Sequence, residues 1–456
     1  MEPILVWIAI IYEVRCRLYR FERCKITKIR LNNVDLAWLR MENPTNPMRF
    51  TVAIRFKGQL NYYRLIEILE DTFRHYRRFW QRIVVPSQIF RRPYWESDPS
   101  YRVENHVKRV TLPLPTDDAA LGELINREMN TALDFAHPLW KITLVDNHPE
   151  GSIIIVHIHH CIGDGISLMQ VLLRMTQTPT EVSANPQTVR QATPTSSEAK
   201  SGWDGLYRIP GLLDMIAAIV RILFRSPDPP TILKGQLGQV KRAVWSEPFS
   251  VPEIKKIAQS KQATINDVLM AITSGAIRRY MDLHHDDRKG DIRAFTMVNL
   301  RGNTFDEELG NKFGLVFLTL PLRHGQPLER LEWIKQGMVS LKASAEYAAT
   351  YLILNLLGQL PGWVEHLATK ILDTKGTVVA TNVSGPWGLL YLADAPIQSI
   401  MGWVPQSGRI GVGLSFISYN NQLIVGLNVD VGLIPDPEKF IQLFTEEYKS
   451  FQAAVK

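Results

Sequence analysis

Residues 152–165 read SIIIVHIHHCIGDG, and their reading decides the fold. Residues 152–160 are a strongly β-branched apolar run, which marks a buried strand. The turn Gly163-Asp164-Gly165 follows, and apolar residues return at helical spacing over 166–175. Strand, turn and helix in direct succession point to an α/β chain. Side chains alternate along a strand. His157 and His159 therefore share one face, while His160 points the other way with Ile158. One histidine can be structural while its neighbour faces a cavity.

The same mixed pattern extends outward. Strands are expected at 51–56, 140–145, 292–298, 316–320, 378–383, 397–404, 411–419 and 422–429. Helices are expected at 62–79, 121–133, 251–259, 265–281, 328–345 and 437–451, with an apolar helical region at 351–372 interrupted by Pro361. Residues 176–202 are rich in Thr, Ser, Pro, Gln and Ala and read as a linker. An apolar helix with cationic ends follows at 206–224, carrying Arg208, Arg221 and Arg225. It fits either a helix packed between domains or an amphipathic helix dipping into a membrane. The domains expected are a 1–30 extension, a first α/β domain at 31–176, a linker and crossover helix at 177–240, and a second domain at 241–456.

Composition narrows the class. With 45% apolar residues among 456, the chain can build a sizeable core. Cys16, Cys24 and Cys161 are too few and too scattered for a disulfide framework or a thiolate zinc site. The formal charge of +7 permits attraction to anionic lipid or CoA phosphates, but no basic tract marks a nucleic-acid binder. The apolar residues 4–12 are about half the roughly 20 that a spanning helix needs, and they lack the flanks of a signal peptide. A cytoplasmic protein is expected, peripherally associated with a membrane.

Three chemistries fit the histidine stretch. Its residues can be core and turn. His157, His159 and Asp164 can be metal ligands, although no third strong ligand lies nearby in sequence. Or His160 can be a general base, since a neutral imidazole accepts a proton at physiological pH, with Asp164 bracing the turn through an arginine or backbone groups.

The order His159-His160-x-x-x-Asp164-Gly165 resembles the signature of the acyltransferase superfamily that includes chloramphenicol acetyltransferase and peptide synthetase condensation domains. Other blocks narrow the resemblance. They are Pro138-Leu139-Trp140, Asn266-Asp267 and Asn382-Val383-Ser384-Gly385-Pro386. Asp35-Leu36-Ala37-Trp38-Leu39 with Glu42, Pro47 and Met48 adds to them, as do Trp95, Asp98, His106 and Glu308-Leu309-Gly310-Asn311. Together they look like the bacterial-type wax ester synthase/diacylglycerol acyltransferase family over residues 31–451.

The resemblance implies an α/β fold of two CoA-dependent-acyltransferase-like domains with an active-site tunnel between them. It implies His160 as the base that moves a long-chain acyl group from acyl-CoA to a fatty alcohol or diacylglycerol, with no cofactor. His159 and Asp164 belong to the catalytic motif. Asn266 is a candidate oxyanion donor, although Thr264-Ile265-Asn266-Asp267 is equally a helix cap. Gly165, Asp267 and Pro138 to Trp140 are candidate substrate contacts, the last three with a competing role in fixing the strand before His160. Asn382 to Pro386 is a structural turn closing the domain interface, and Cys161 is a core residue. A peripheral membrane or lipid-droplet surface is the expected partner. The competing functions are a condensation-type enzyme acting on carrier-protein thioesters and a non-catalytic lipid-binding protein.

Overall fold

The strand Ile153–His159 lies inside a six-stranded sheet, in the order Tyr391–Leu392, Ala395–Trp403, Arg49–Phe56, Ile153–His159, Trp140–Val145, Val107–Val110. The computed structural model describes residues 28–87, 91–178, 210–288, 290–301 and 308–455. The apolar stretch 4–12, most of the 176–202 linker, and Arg208 lie outside the described residues.

Strand alternation builds two cores from one strand. Ile153 and Ile155 pack with Leu121, Leu124 and Ile125 of the helix Asp118–Asn130. Ile154 and Ile158 pack on the opposite face with Leu65 and Leu69 of the helix Tyr62–Phe73 and with Val171 and Leu172 of the helix Gly165–Met175. A strand covered on both faces needs continuous β-branched residues, as here.

The second sheet has seven strands. Its main order is Phe313–Leu320, Ile292–Asn299, Val378–Ser384, Val412–Tyr419, Gln422–Asp430, Lys241–Trp245. The helices Ile265–Leu283, Pro327–Ala343 and Pro437–Val455 bury one of its faces. The other face receives Ala218 and Ile222 of the helix Leu212–Phe224, Ala349, and Phe50 from the first sheet. A third sheet of three short strands joins Ile29–Arg30, Tyr94–Ser97 and Gln81–Val84.

Several elements differ from the sequence reading, among them the helix Asn33–Met41 and the three-stranded sheet, which it did not foresee, and the 62–79 helix, which ends at Phe73. The strand at 395–403, assigned there to the second half, pairs antiparallel with Arg49–Phe56 of the first sheet. The two halves thus share a sheet as well as an interface. Leu212–Phe224 is packed on one side only: Ala218 and Ile222 are buried, whereas Leu213 is 81% and Phe224 84% exposed. Among the described residues no helix is long and apolar enough to cross a membrane.

Candidate active site

The strand ends at His159, and the next residue leaves the sheet. The His160 backbone N–H donates to Met48 O at 2.8 Å, and its carbonyl accepts from Asn311 Nδ2 at 2.8 Å. Its ring is 1% exposed and is walled by aromatic side chains. Trp38 stacks on it with ring centroids 4.0 Å apart and planes 6° from parallel. Phe50 and Phe313 close the sides at 4.3 and 5.9 Å. Neither ring nitrogen has a hydrogen-bond partner in the protein. Burial pushes the pKa down to about 4, while Asp164 pulls the other way. The imidazole is therefore neutral at pH 7 and free to accept a proton.

The other two histidines sit on the opposite side. His159 Nδ1 accepts the Cys161 backbone N–H at 3.1 Å, which leaves the proton on Nε2, 3.6 Å from Glu42 Oε2. Glu42 accepts the Met48 N–H and so anchors the loop that receives His160. His157 Nδ1 bonds Thr51 Oγ1 at 2.9 Å. Burial holds both at about 3, so both are neutral scaffold.

Asp164 works beneath the turn rather than against the ring. Its Oδ1 caps the following helix by accepting the Ser167 N–H at 3.0 Å. Its Oδ2 accepts from Arg301 Nη1 at 2.5 Å and from the Lys312 N–H at 3.0 Å. Arg301 also donates to Gly310 O. Asp164 is held by Arg301, and the Nδ1 atoms of His157 and His159 are taken by Thr51 and the Cys161 N–H, while their Nε2 atoms have no hydrogen-bond partner. Gly165 admits the second half: a Cβ there would lie 3.2 Å from Val383 Cγ2.

Asp35 and Asn311 entered the sequence comparison without a role, and the structure brings both to the base. Asn311 Nδ2 spans His160 O and Asp35 Oδ1, each at 2.8 Å. Arg78 Nη1 bonds Asp35 Oδ2 at 2.7 Å, Cys161 O at 2.8 Å and Ile162 O at 3.1 Å. Arg78, Phe313, Phe50 and Arg301 were missed. Arg78 and Arg301 are single arginines without a motif, and the two phenylalanines are ordinary members of apolar strands.

Each of the remaining candidates has contacts of its own. Leu139 O accepts the His159 N–H at 3.0 Å, and Trp140 packs against Phe73, Phe79 and His106, not against His160. The Pro138 to Trp140 block thus holds the strand end in place. Asp267 closes a capping box with Thr264. Asn266, beside it, is buried; its Nδ2 has no hydrogen-bond partner, and no hydrogen bond or ring contact joins it to His160. Asn382 to Ser384 continue the strand Val378–Ser384, and Gly385 donates to Ser418 O at 2.8 Å beside Met169. Cys161 is fully buried in the core, and burial pushes its thiol well up. Among the described residues no cluster of His, Cys, Asp or Glu is arranged to hold a metal ion.

A cleft of about 1240 Å³ opens on the His159 side. Glu42, Arg49, Arg127, Phe135 and Arg242 help line it.

This arrangement, a buried unpartnered histidine at a strand end between two α/β halves, defines a CoA-dependent-acyltransferase-like protein. Residues 31–269 match the model of the wax ester synthase/diacylglycerol acyltransferase catalytic domain, and residues 309–452 match that of the WS/DGAT C-terminal domain. The chain belongs to this family. An O-acyltransferase of Acinetobacter baylyi is 24% identical, with 93% of this chain and 97% of the relative covered. Wax ester synthase/diacylglycerol acyltransferase 11 of Arabidopsis thaliana is 26% identical, with 89% and 91% covered. The solved wax ester synthase/diacylglycerol acyltransferase of Marinobacter aquaeolei VT8 superposes with a TM-score of 0.67 at 20% identity, covering 93% of this chain and 99% of that one. The first condensation domain of the calcium-dependent antibiotic synthetase has the same fold, with a TM-score of 0.63 at 14% identity and 92% and 95% covered. The chain is an acyltransferase.

Proposed function

We propose that His160 is the general base in transfer of a long-chain acyl group from acyl-CoA to the hydroxyl of a fatty alcohol or diacylglycerol. One observation carries this reading: His160 is neutral and buried, and both its ring nitrogens lack protein partners. A buried polar group without a partner is costly unless a ligand supplies one. The substrate hydroxyl is such a partner. His160 takes its proton as the oxygen attacks the thioester carbonyl, and returns it to the departing CoA thiolate. No acyl-enzyme is needed, and Cys161 is an inert core thiol.

Peripheral attachment to a membrane or lipid-droplet surface, on its cytoplasmic side, completes the reading. Exposed apolar side chains concentrate on three helices packed in series, Leu212–Phe224, Glu346–Leu357 and Gly362–Asp373. Leu213, Phe224, Leu356, Trp363 and Leu367 are among them, with Arg221 and Lys370 exposed nearby in sequence. Exposed apolar patches of this kind mark interaction surfaces.

The test is an assay with palmitoyl-CoA, offering hexadecanol and a diacylglycerol separately. Ester from either, with equimolar free thiol, is expected and names the acceptor. Thiol and ester from neither would sink the reading.

A further inference from the structure

We infer that the indole N–H of Trp38 is the oxyanion donor of this site. The assignment rests on the acyl-transfer reading above and adds a second catalytic residue to it.

Trp38 is 7% exposed, and its Nε1 is buried without a hydrogen-bond partner. Other buried tryptophans differ. Trp140 Nε1 donates to Phe79 O at 2.7 Å, and Trp403 Nε1 donates to Val244 O at 2.9 Å. Leaving a buried donor unpaired disfavours folding. Here the orphan donor is stacked on the proposed base, whose two ring nitrogens are orphans as well. The ring walls contributed by Phe50 and Phe313 offer no acceptor. A ligand seated against both rings can satisfy the donor and the base together. A thioester carbonyl oxygen and an alcohol hydroxyl do so together.

The distances permit it. A base reaches its alcohol oxygen over about 3 Å, and an oxyanion donor reaches its oxygen over about 3 Å. Rings stacked at 4.0 Å can therefore serve one tetrahedral carbon at their edge. The donor is also rigidly held. Trp38 lies one turn after Asp35 on the helix Asn33–Met41, and Asp35 is fixed by Asn32, Arg78 and Asn311. Asn266, the donor suggested by sequence, has no such tie to His160.

The step balances. The alcohol oxygen forms a bond to the thioester carbon, the carbonyl π pair moves to its oxygen, and the hydroxyl proton passes to His160. Trp38 N–H donates to the resulting oxyanion, and its ring face stabilises the imidazolium. Collapse reforms the carbonyl and breaks the C–S bond. The thiolate leaves with the proton from His160, giving ester and CoA thiol.

Two replacements at position 38 remove the N–H while keeping an aromatic ring: Trp38→Phe, and the benzothiophene analogue of tryptophan, which keeps the bicyclic shape. Both are assayed with palmitoyl-CoA and the accepted alcohol, beside the parent and Asn266→Ala. The analogue is expected to lower kcat about 10²-fold, as loss of one oxyanion donor does, with KM for palmitoyl-CoA unchanged. Asn266→Ala is expected to retain the parent kcat. An active parent with an equally active analogue overturns the assignment alone, leaving acyl transfer intact. Loss of kcat in Asn266→Ala with an unimpaired analogue does the same. A parent that releases no thiol overturns the underlying reading and this assignment with it.

Discussion

Asp164 and Arg301 meet at 2.5 Å, with side chains 8% and 1% exposed, and join the turn after His160 to the second half of the chain. The carboxylate caps one helix and receives a backbone N–H from Lys312 as well. It organises the loop that carries the base without hydrogen-bonding to the base's nitrogens.

Removing one member of a buried ion pair leaves the other uncompensated. Asp164→Ala is therefore expected to destabilise the protein by about 3–5 kcal/mol. Urea unfolding of the variant and the parent measures this directly. A midpoint equal to that of the parent would show that Arg301 finds another partner and that the pair does not hold the halves together.

Asn311 acts at longer range on the same loop. Asn311→Ala deletes the bonds to His160 O and Asp35 Oδ1. Misplacing a catalytic group slightly costs up to about 10²-fold in rate, so kcat is expected to fall about 10–100-fold while KM for acyl-CoA stays near that of the parent. Steady-state kinetics separates the two. A rise in KM with kcat preserved would assign Asn311 to substrate binding instead.

The pH profile carries a sign that follows from burial. The base works when neutral, and burial lowers its pKa from 6.5 to about 4. Lowering keeps it neutral further into acid, so kcat/KM is expected to stay flat from pH 8 to about pH 5 and to fall as pH approaches 4. An acid limb centred at 6.5 would mean a solvated imidazole, contrary to its aromatic cage.

Much of this was legible in the chain itself. The long strands and helices of the two large sheets follow from period-2 and period-3.6 apolar patterns, whereas the helix Asn33–Met41 and short strands such as Gln81–Val84, Tyr94–Ser97 and Val107–Val110 carry too few residues to show a period. His160 stood out through the resemblance of its motif, and in the structure it leaves the sheet just after the strand Ile153–His159 that carries His157 and His159. The pairing of 395–403 with 49–56 was not legible, since register between strands over 300 residues apart leaves no local trace. Arg78, Arg301 and Phe313 were hidden for the same reason. Their meaning lies in partners brought together by the fold: Arg78 with Cys161, and Arg301 with Asp164.

The exposed apolar helices give a prediction about location. Replacing Leu213 and Leu367 together by Glu removes two exposed leucines and adds two charges. Burying one leucine contributes about 1.5–3 kcal/mol, so binding to vesicles containing anionic lipid is expected to weaken at least about tenfold. Flotation with parent and double variant reads it. Undiminished flotation would remove these helices from the membrane surface.

The central claim is the role of His160, and the most direct measurement is turnover of His160→Ala with palmitoyl-CoA and the accepted alcohol, beside a circular dichroism spectrum of each protein. With an unchanged spectrum, kcat is expected to fall about 10²–10⁴-fold, the share that a general base supplies. A folded His160→Ala variant that turns over at the parent rate would contradict the mechanism.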